Sequence, residues 1–538
     1  MKIKSLLIGM LACSAMVACT NTDEPEVDNE VKQGSEYYMA VNFSMAGSAS
    51  SRTFQDGVYE DGDAEIEVTS AVFHFLDAAG DACAIPCTVT DLTWSDMNGA
   101  NSVEKKSGKV IVMRNPTSIP ASIIAILNPT EKMKSQSNLS TLTDMADDYA
   151  TKSLTTSGAF IMSNSVYMNS NKEAVIGTPV KKENLYVTTV GQNGTEPTDN
   201  EILSEITPVT IPVEKVVAKV NVTEKKNNED KSAVTVSGTG VKLNGAETAT
   251  DLDVVITGWW LDRTNPQSYL LKKIDTSWAG TWWNHVDYKR SYWATAYTPT
   301  AYTHYAYSTA TTDDKYCLEN TSQANHTQVV VAAKLQQNGK EVSLIKWRSN
   351  FYTEDGFKDE FINLAEVQQY YKESTEAGKY ETIDADDLDF TYNKISNTSG
   401  QGLKDYQAQV VLKTGVTVYK KVNGTINTTA EKEADVNAVL SGLATVQFWQ
   451  DGQTYYYTSI KHSDSTEDTG KMAEFGVVRN HLYKLTINSI TGLGTPVPNK
   501  DLVIIPGNVT DETEYSYIAA DVEVLQYKVV SQGVDLGK

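Results

Sequence analysis

Residues 37–45 have the sequence Tyr-Tyr-Met-Ala-Val-Asn-Phe-Ser-Met. Every second residue of this segment is large and apolar: Tyr37, Met39, Val41, Phe43 and Met45. Successive side chains of a strand point to opposite faces, so this period of two predicts a β-strand with one buried face. Residues 46–53 follow with Ala-Gly-Ser-Ala-Ser-Ser-Arg-Thr. Small residues around a single arginine are typical of a flexible loop that a protease can enter.

The segment before this strand has the pattern of an export signal. Lys2 and Lys4 precede an apolar run that extends from Leu6 to Ala18. This run is shorter than the roughly 20 residues that a membrane-spanning helix needs. It leads to Cys19 and then to polar and acidic residues, an arrangement similar to a lipobox. We therefore expect a lipidated Cys19 and an outer-membrane precursor, and the alternative is an ordinary signal peptide with an incidental cysteine.

The bulk properties argue against several classes of function. The net charge is −23 and the isoelectric point is about 4.7, so no basic surface is expected for nucleic acid. The cysteines outside the signal are Cys83, Cys87 and Cys317, and pairing of the first two stays open. The histidines are scattered, and neither a zinc motif nor a phosphate-binding loop occurs. The sequence predicts no enzyme, no catalytic residue, no metal and no cofactor.

Short strand patterns separated by turn residues predict a mainly β protein with two β-sandwich domains. The predicted strands are residues 71–76, 109–113, 122–127, 160–162, 209–222, 252–260, 328–335, 408–413, 444–449 and 477–490. Apolar residues at helical spacing predict a helix at residues 139–149, and two further helices are predicted in insertions, at residues 361–371 and 430–443.

The C-terminal tail, residues 517–536, contains a second strand pattern. Val522 and Val524 share one face, and Leu525, Tyr527 and Val529 share the other. Because a one-residue slip reverses the faces of a strand, we expect two strand segments joined by a bulge or bend. A polar linker, residues 507–516, precedes them, so the tail can leave its own domain.

The two ends of the chain together suggest an assembly mechanism. A cut after Arg52 would remove the strand at residues 37–45 with its lipid anchor and would leave two unpaired sheet edges. The tail of another copy could fill the resulting groove by strand addition. Groove and tail are different surfaces, so the contact is head-to-tail and produces an open filament.

Two surface features invite other interpretations. An aromatic tract includes Trp278, Trp282, Trp283, Tyr288, Tyr292, Trp293, Tyr297, Tyr302, Tyr305 and Tyr307. It suggests a carbohydrate site, but the sequence does not locate polar partners for a sugar. We therefore favour a loop packed by its own rings or a subunit interface. The acidic residues Asp384, Asp386, Asp387 and Asp389 lack calcium-loop spacing and are interpreted as a solvated loop.

Several segments resemble the shaft subunits of Bacteroidales-type fimbriae (type V pili), closest to the minor-fimbrium, Mfa-like branch. The matching segments are residues 126–129, 158–164, 213–220, 316–321, 477–483 and 492–496, of which 477–483 (Val-Val-Arg-Asn-His-Leu-Tyr) is the strongest. The resemblance implies two transthyretin-like β-sandwich domains in tandem, with a few short helices in insertions. It also implies activation by a trypsin-like, Arg-directed protease at Arg52–Thr53. Copies of the subunit would join head-to-tail and, with anchor and tip subunits, form a fimbria that supports adhesion and biofilm formation.

These expectations divide the chain into five parts. They are a signal peptide (1–18), a propeptide with a blocking strand (19–52), an N-terminal sandwich (53–208), a C-terminal sandwich (209–506), and a linker with donor strands (507–538). Two alternatives to a shaft subunit stay open: a tip or accessory adhesin of the same fold, and a glycan-binding surface lipoprotein that keeps its anchor. Host or bacterial surface ligands are further partners that the sequence does not identify.

Overall fold

The computed structural model describes residues 35–44, 67–90, 92, 95–96, 104–114, 116–155, 159–168, 173–189, 198–274, 294–395, 406–462, 475–506, 518–520, 525–526 and 528–536. Within these ranges no helix is both long and apolar enough to cross a membrane.

Where the structure describes it, the first part of the chain forms many short strands and four short α-helices. The strands are β1 Ser35–Ser44, β2 Ser70–Leu76, β3 Cys87–Thr90, β4 Ser95–Asp96, β5 Glu104–Arg114, β6 Ser122–Leu127, β7 Ala146–Asp147, β8 Met162–Asn164, β9 Tyr167–Met168, β10 Ala174–Val175, β11 Thr178–Pro179, β12 Tyr186–Thr189 and β13 Val209–Lys215. The helices are α1 Glu131–Lys134, α2 Leu139–Asp144, α3 Tyr149–Thr155 and α4 Asp199–Glu205.

The described residues of the second part also form many short strands, together with two α-helices, α5 Glu354–Ile362 and α6 Glu433–Leu443. Its first strands are β14 Val217–Glu224, β15 Thr235–Ser237, β16 Asp253–Asp262, β17 Ser268–Tyr269, β18 Lys315–Leu318, β19 Gln328–Gln337, β20 Lys340–Glu341, β21 Leu344–Trp347, β22 Asn350–Tyr352, β23 Tyr370–Glu373 and β24 Tyr380–Thr382. The remaining strands are β25 Leu388–Ile395, β26 Tyr406–Leu412, β27 Tyr419–Val422, β28 Thr425–Ile426, β29 Val446–Trp449, β30 Gln453–Ser459, β31 His481–Thr491, β32 Thr495–Pro496, β33 Ile518–Ala520, β34 Leu525–Gln526 and β35 Lys528–Leu536.

The first sheet places β1 among strands that come from distant parts of the chain. Its order is β3-β2-β6-β8-β13-β1-β5-β4, with β11 added to β6 and β12 added to β1. One hydrophobic core joins inward side chains of β1 and β5 to those of β2 and β6, so two β layers face each other. This core includes Met39, Phe43, Phe73, Ile111 and Ile123.

The second body contains another pair of facing sheets. One sheet contains β18, β14, β31 and the tail strands, and the other has the order β16-β19-β30-β32. Their shared core contains Val220, Trp259, Val331, Tyr456 and Leu485. The predicted mainly β fold, with sandwiched sheets and few short helices, is therefore confirmed.

The change from the first sheet to the second occurs at Val216, between β13 and β14. Because β13 pairs with β1, the strand pairing favours a domain boundary at Val216 over one between residues 208 and 209. A further core joins the two bodies, since it contains Val72 and Ile124 of the first together with Val217 and Leu318 of the second. The full division into five parts stays a prediction.

Two predicted helices differ from the structure. The helix predicted at residues 361–371 lies earlier, at Glu354–Ile362, because Thr353 caps it by accepting a hydrogen bond from Gly356 N. The helix predicted at residues 139–149 ends already at Asp144, since β7 follows it and pairs with β17, and α3 begins only at Tyr149. The helix predicted at residues 430–443 is present as α6. Among the strands, residues 477–480 precede β31, and β8 begins at Met162 and not at Phe160.

Candidate functional site

Strand β1 is bonded along both of its edges. One edge pairs antiparallel with β5, from Glu36 opposite Arg114 to Ser44 opposite Glu104, with a register shift between Ala40 and Asn42. The other edge pairs first with β12, antiparallel, and then with β13, parallel. Removal of β1 would therefore leave β5 unpaired on one side and β12 and β13 unpaired on the other.

The inward face of β1 is fully buried, as its alternating sequence predicts. Tyr37 is 5% exposed, Met39 and Val41 are each 1% exposed, and Phe43 is 0% exposed. The Phe43 ring stacks on Phe73 with centroids 6.0 Å apart. Burial also raises the pKa of the Tyr37 hydroxyl. Four such side chains contribute roughly 1.5–3 kcal/mol each to holding the strand in place.

The prediction that β1 has only one buried face is wrong. Tyr38 and Ala40, on the opposite face, are 4% and 2% exposed and pack with Ile202 and Ile206, residues of α4 and its C-terminal end. The Tyr38 ring meets the Tyr186 ring edge-on at 6.3 Å, and its hydroxyl donates to Glu36 Oε2 at 2.6 Å. Helix α4 thus covers the second side of the groove that β1 occupies.

The tail is bonded to its own chain. Strand β35 runs parallel to β31, from Leu482 opposite Val529 to Ile490 opposite Leu536. The chain reverses between β34 and β35, which pair antiparallel with Leu525 opposite Val529. The bulge or bend predicted within the donor strand is therefore a reversal of direction. Because Leu525 and Val529 lie opposite each other in this hairpin, they do not follow one another along a single strand.

A buried ion network, which the sequence did not reveal, lies beside the junction of the two bodies. Lys272 Nζ lies 3.1 Å from Glu214 Oε2, and both side chains are 0% exposed. Arg479 pairs with Glu319 at 3.2 Å and donates to the carbonyl oxygens of Tyr269 at 2.7 Å and Leu270 at 2.9 Å. We call these four charged residues, Glu214, Lys272, Glu319 and Arg479, the junction network. Burial raises the pKa of Glu214 despite the neighbouring cations.

The segment around Arg479 also connects the strands that meet at the junction. Asn480 Oδ1 accepts a hydrogen bond from Lys215 N at 3.1 Å, and Asn480 N donates to Val217 O at 2.7 Å. The residues flanking Val216 are thus tied to the start of β31. The clearest motif in the sequence, residues 477–483, supplies contacts between the two bodies.

The three cysteines that the structure describes, Cys83, Cys87 and Cys317, have free thiols. Cys83 and Cys317 are buried, and Cys87 is half-buried. Burial raises the pKa of Cys83 to about 11 and that of Cys317 to about 12, which keeps both thiols protonated at neutral pH. Within the described residues, no group of three or more His, Cys, Asp or Glu side chains is arranged to hold a metal ion.

Part of the aromatic tract is packed as expected for an ordered loop. Tyr307 is 7% exposed and donates to Ala333 O at 2.7 Å, and Tyr297 contacts the Tyr269 ring at 5.8 Å. Tyr305 is different, since it is 38% exposed. The tract residues from Trp278 to Trp293 lie outside the described residues.

The acidic cluster has a local partner. Lys372 Nζ lies 3.0 Å from Asp384 Oδ2 and 2.7 Å from Asp387 Oδ2. Asp384 also caps the turn that follows it by accepting a hydrogen bond from Asp386 N. These contacts account for the cluster as part of a structured surface loop.

Several predicted site residues lie outside the described residues: Cys19, Met45, Arg52, Thr53, Val522, Val524 and Tyr527. Lipidation, the cleavage position and the faces of the donor strand therefore stay predictions. The backbone of Leu525 and Val529 is described within β34 and β35.

Comparisons with solved structures give distant likenesses. A fimbrilin (FimA) from Porphyromonas gingivalis W83 is 11% identical, with 93% of this chain and 98% of that chain covered and a TM-score of 0.33. A fimbrial assembly protein from Parabacteroides distasonis ATCC 8503 is 10% identical, with 74% and 99% covered and a TM-score of 0.28. The tip fimbrial protein Mfa3 from Porphyromonas gingivalis is 12% identical, with 74% and 98% covered and a TM-score of 0.25. At these TM-scores the likenesses decide nothing further about fold or function.

No curated protein matches the chain. A family model does match: residues 447–533 fit "Major fimbrial subunit protein type IV, Fimbrillin, C-terminal". This segment runs from β29 through β31 into the tail strand β35, and it includes Arg479 and Asn480 of the junction. Subunits of this family assemble with other fimbrial subunits in a filament at the cell surface. The predicted resemblance to the fimbrial subunit family is thereby confirmed, and the match lies in the C-terminal part of this chain.

Proposed function

We propose that the chain is the precursor of a fimbrial shaft subunit that polymerises by protease-triggered donor-strand exchange. The observation that carries the proposal is the position of β1, bonded on both edges inside its sheet. A trypsin-like protease that cuts between Arg52 and Thr53 separates β1 and the lipid anchor at Cys19 from the remaining chain. Release of β1 then opens a groove between β5 and the β12–β13 edge.

The tail of a second copy fills this groove. Its strands carry enough apolar residues for one buried face, and the groove offers backbone partners along both edges. Burial of four or five apolar side chains at roughly 1.5–3 kcal/mol each gives on the order of 6–15 kcal/mol before the cost of ordering the tail. Each added subunit presents a new groove and a new tail, so the filament grows by one repeated contact.

In the precursor, both the groove and the tail are occupied by strands of the same chain. In the uncut chain β1 fills the groove while β35 lies against β31 of the same chain. Strand exchange therefore requires two events, the loss of β1 and the departure of β35 from β31. Both surfaces are satisfied before cleavage, which keeps the precursor monomeric during export. The assembled fimbria, with its anchor and tip subunits, would then support adhesion and biofilm formation.

The central experiment compares precursor processing with filament formation. Arg52→Ala is expected to fold as the wild type does, to resist the protease and to stay monomeric, because β1 cannot leave. Lys32→Ala, which removes a basic residue on the other side of β1, is the matched control and should be cut and should polymerise normally. N-terminal sequencing of the surface protein and SDS-resistant ladders provide the readouts. Normal ladders from Arg52→Ala, or mature filaments that retain residues 37–45, would count against the proposal.

A second experiment separates the shaft role from that of a tip adhesin. Deletion of residues 517–538 leaves the groove intact but removes the donor from every copy, so no SDS-resistant ladder should form. A tip subunit needs no donor, and undiminished ladders would therefore favour the adhesin. Surface protein that still carries a lipidated Cys19 would instead favour the anchored glycan-binding lipoprotein.

A further inference from the structure

A cavity of about 410 Å³ lies between the two bodies, away from the groove of β1. One wall is the segment that starts α3, including Asp148, and the opposite wall comes from the end of β16, the loop after residue 302, and β18. Trp260, Thr264, Thr303 and Tyr305 are among the lining residues. The volume falls within the roughly 300–1,000 Å³ range of small-molecule sites.

The cavity combines an exposed aromatic ring with polar groups that have no hydrogen-bond partner among the described residues. Tyr305 is 38% exposed, whereas Trp260, at 2% exposed, lies beneath the surface. Thr264 is 8% exposed, and within the described part of the chain the hydroxyls of Thr264 and Thr303 make no hydrogen bond. Asp148 uses one carboxylate oxygen to accept from Thr151 N at 3.0 Å, and among the described residues its other oxygen has no partner.

This combination matches the chemistry of a sugar ring. The C–H faces of a saccharide pack on aromatic rings, and its hydroxyls donate to carboxylates and exchange hydrogen bonds with threonine hydroxyls. The lining contains one carboxylate, Asp148, and one ammonium group, Lys315, so its formal charges cancel, and the net charge of −23 disfavours acidic sugars through long-range repulsion. A neutral saccharide is therefore the ligand class that agrees with shape, polar groups and charge.

We propose that this cavity binds a neutral saccharide of one or two rings. Tyr305 stacks on the sugar, while Asp148, Thr264 and Thr303 bond its hydroxyls. The site does not depend on strand exchange, since it lies apart from β1 and β35. It gives a repeating subunit one glycan contact per copy, so that weak individual contacts add along a filament.

The test uses the purified full-length chain on a printed array of neutral and sialylated oligosaccharides. Tyr305→Ala and the isosteric Thr264→Val should each lower the apparent affinity for the bound neutral glycans by at least about tenfold. Tyr302→Ala, in the same loop but outside the cavity lining, and Thr239→Val, at a buried position elsewhere, should bind as the wild type does. If Thr264→Val does not fold, the exposed Tyr305→Ala alone decides the result.

Four outcomes would overturn the proposal: no glycan bound, only sialylated glycans bound, binding unaffected by Tyr305→Ala, or equal losses in the control variants. A fifth would reassign the cavity. If Tyr305→Ala abolished filament assembly, and neither the wild type nor the Tyr305→Ala variant bound a glycan, the cavity would be a contact between subunits.

Discussion

At the scale of single residues, the histidines show how burial sets protonation. His326 is 2% exposed and stacks on Phe475 with centroids 5.0 Å apart. Its Nδ1 lies 3.1 Å from Gln323 O, and its Nε2 lies 2.7 Å from Ser459 Oγ. A neutral ring satisfies both contacts by donating from Nδ1 and accepting at Nε2. Burial lowers the pKa of His326 from 6.5 to about 4.

This shift predicts a loss of stability in mild acid. Because the folded-state pKa lies below that of the unfolded chain, the unfolded chain binds more protons as the pH falls from about 6.5 toward 4. When the pH is lowered from 7 to 5, protonation of His326 in the unfolded chain alone should lower the unfolding free energy by about 2 kcal/mol. Urea denaturation at both pH values measures the drop, and His326→Gln should reduce it by that amount. An identical drop in wild type and His326→Gln would contradict the assignment.

At the scale of single elements, α4 explains why β1 is buried on two faces. The sequence predicted the inward face of β1 because that alternation is local. The outward face was missed because Tyr38 and Ala40 pack against α4, which lies much later in the chain. The alternation of residues within a segment predicts which of its own side chains share a face. It cannot predict that an element distant in sequence packs against the other face. The same limit applies to the tail, where the apolar pattern was visible but the reversal and the docking on β31 were not.

The two faces of α4 allow a matched comparison. Ile202 is 1% exposed and contacts the outer side of β1, whereas its neighbour Leu203 is 37% exposed. Ile202→Ala should lower the unfolding free energy of the precursor by about 2–4 kcal/mol, because it leaves a cavity over Tyr38 and Ala40. Leu203→Ala should change it by less than about 1 kcal/mol. Equal effects of the two substitutions, measured by chemical denaturation, would show that α4 does not cover β1.

At the scale of the whole molecule, the junction network joins the two sandwiched bodies. The mainly β fold could be predicted from alternating patterns and turn residues. The charges of Glu214, Lys272, Glu319 and Arg479 carried no such signal, because ion pairs between distant residues have no period in the sequence. Residues 477–483 were noticed as a motif, and only the structure shows that Arg479 bonds the backbone of Tyr269 and Leu270.

Arg479→Met is therefore expected to weaken the chain as a whole. It removes the ion-pair partner of the buried Glu319 and takes one donor from the carbonyl oxygens of Tyr269 and Leu270, of which Leu270 O keeps its bond from Ser163 Oγ, at a cost of about 3–5 kcal/mol. Lys231→Met is the control, because the Lys231–Glu229 pair is solvent-exposed, and it should cost less than about 1 kcal/mol. Calorimetry of the precursor provides the measurement. An Arg479→Met variant as stable as the Lys231→Met variant would exclude a stabilising role for the network.

The docking of β35 on β31 has a consequence for when a filament can grow. A segment tethered to its own acceptor competes at an effective concentration on the order of millimolar. In free subunits in dilute solution, β35 would then stay paired with β31 of its own chain, and the subunits would add to one another slowly. Crowding of processed subunits at a growing end on the bacterial surface would shift that competition toward neighbours. Under the proposed mechanism, the site of growth is thus selected by local density as well as by proteolysis.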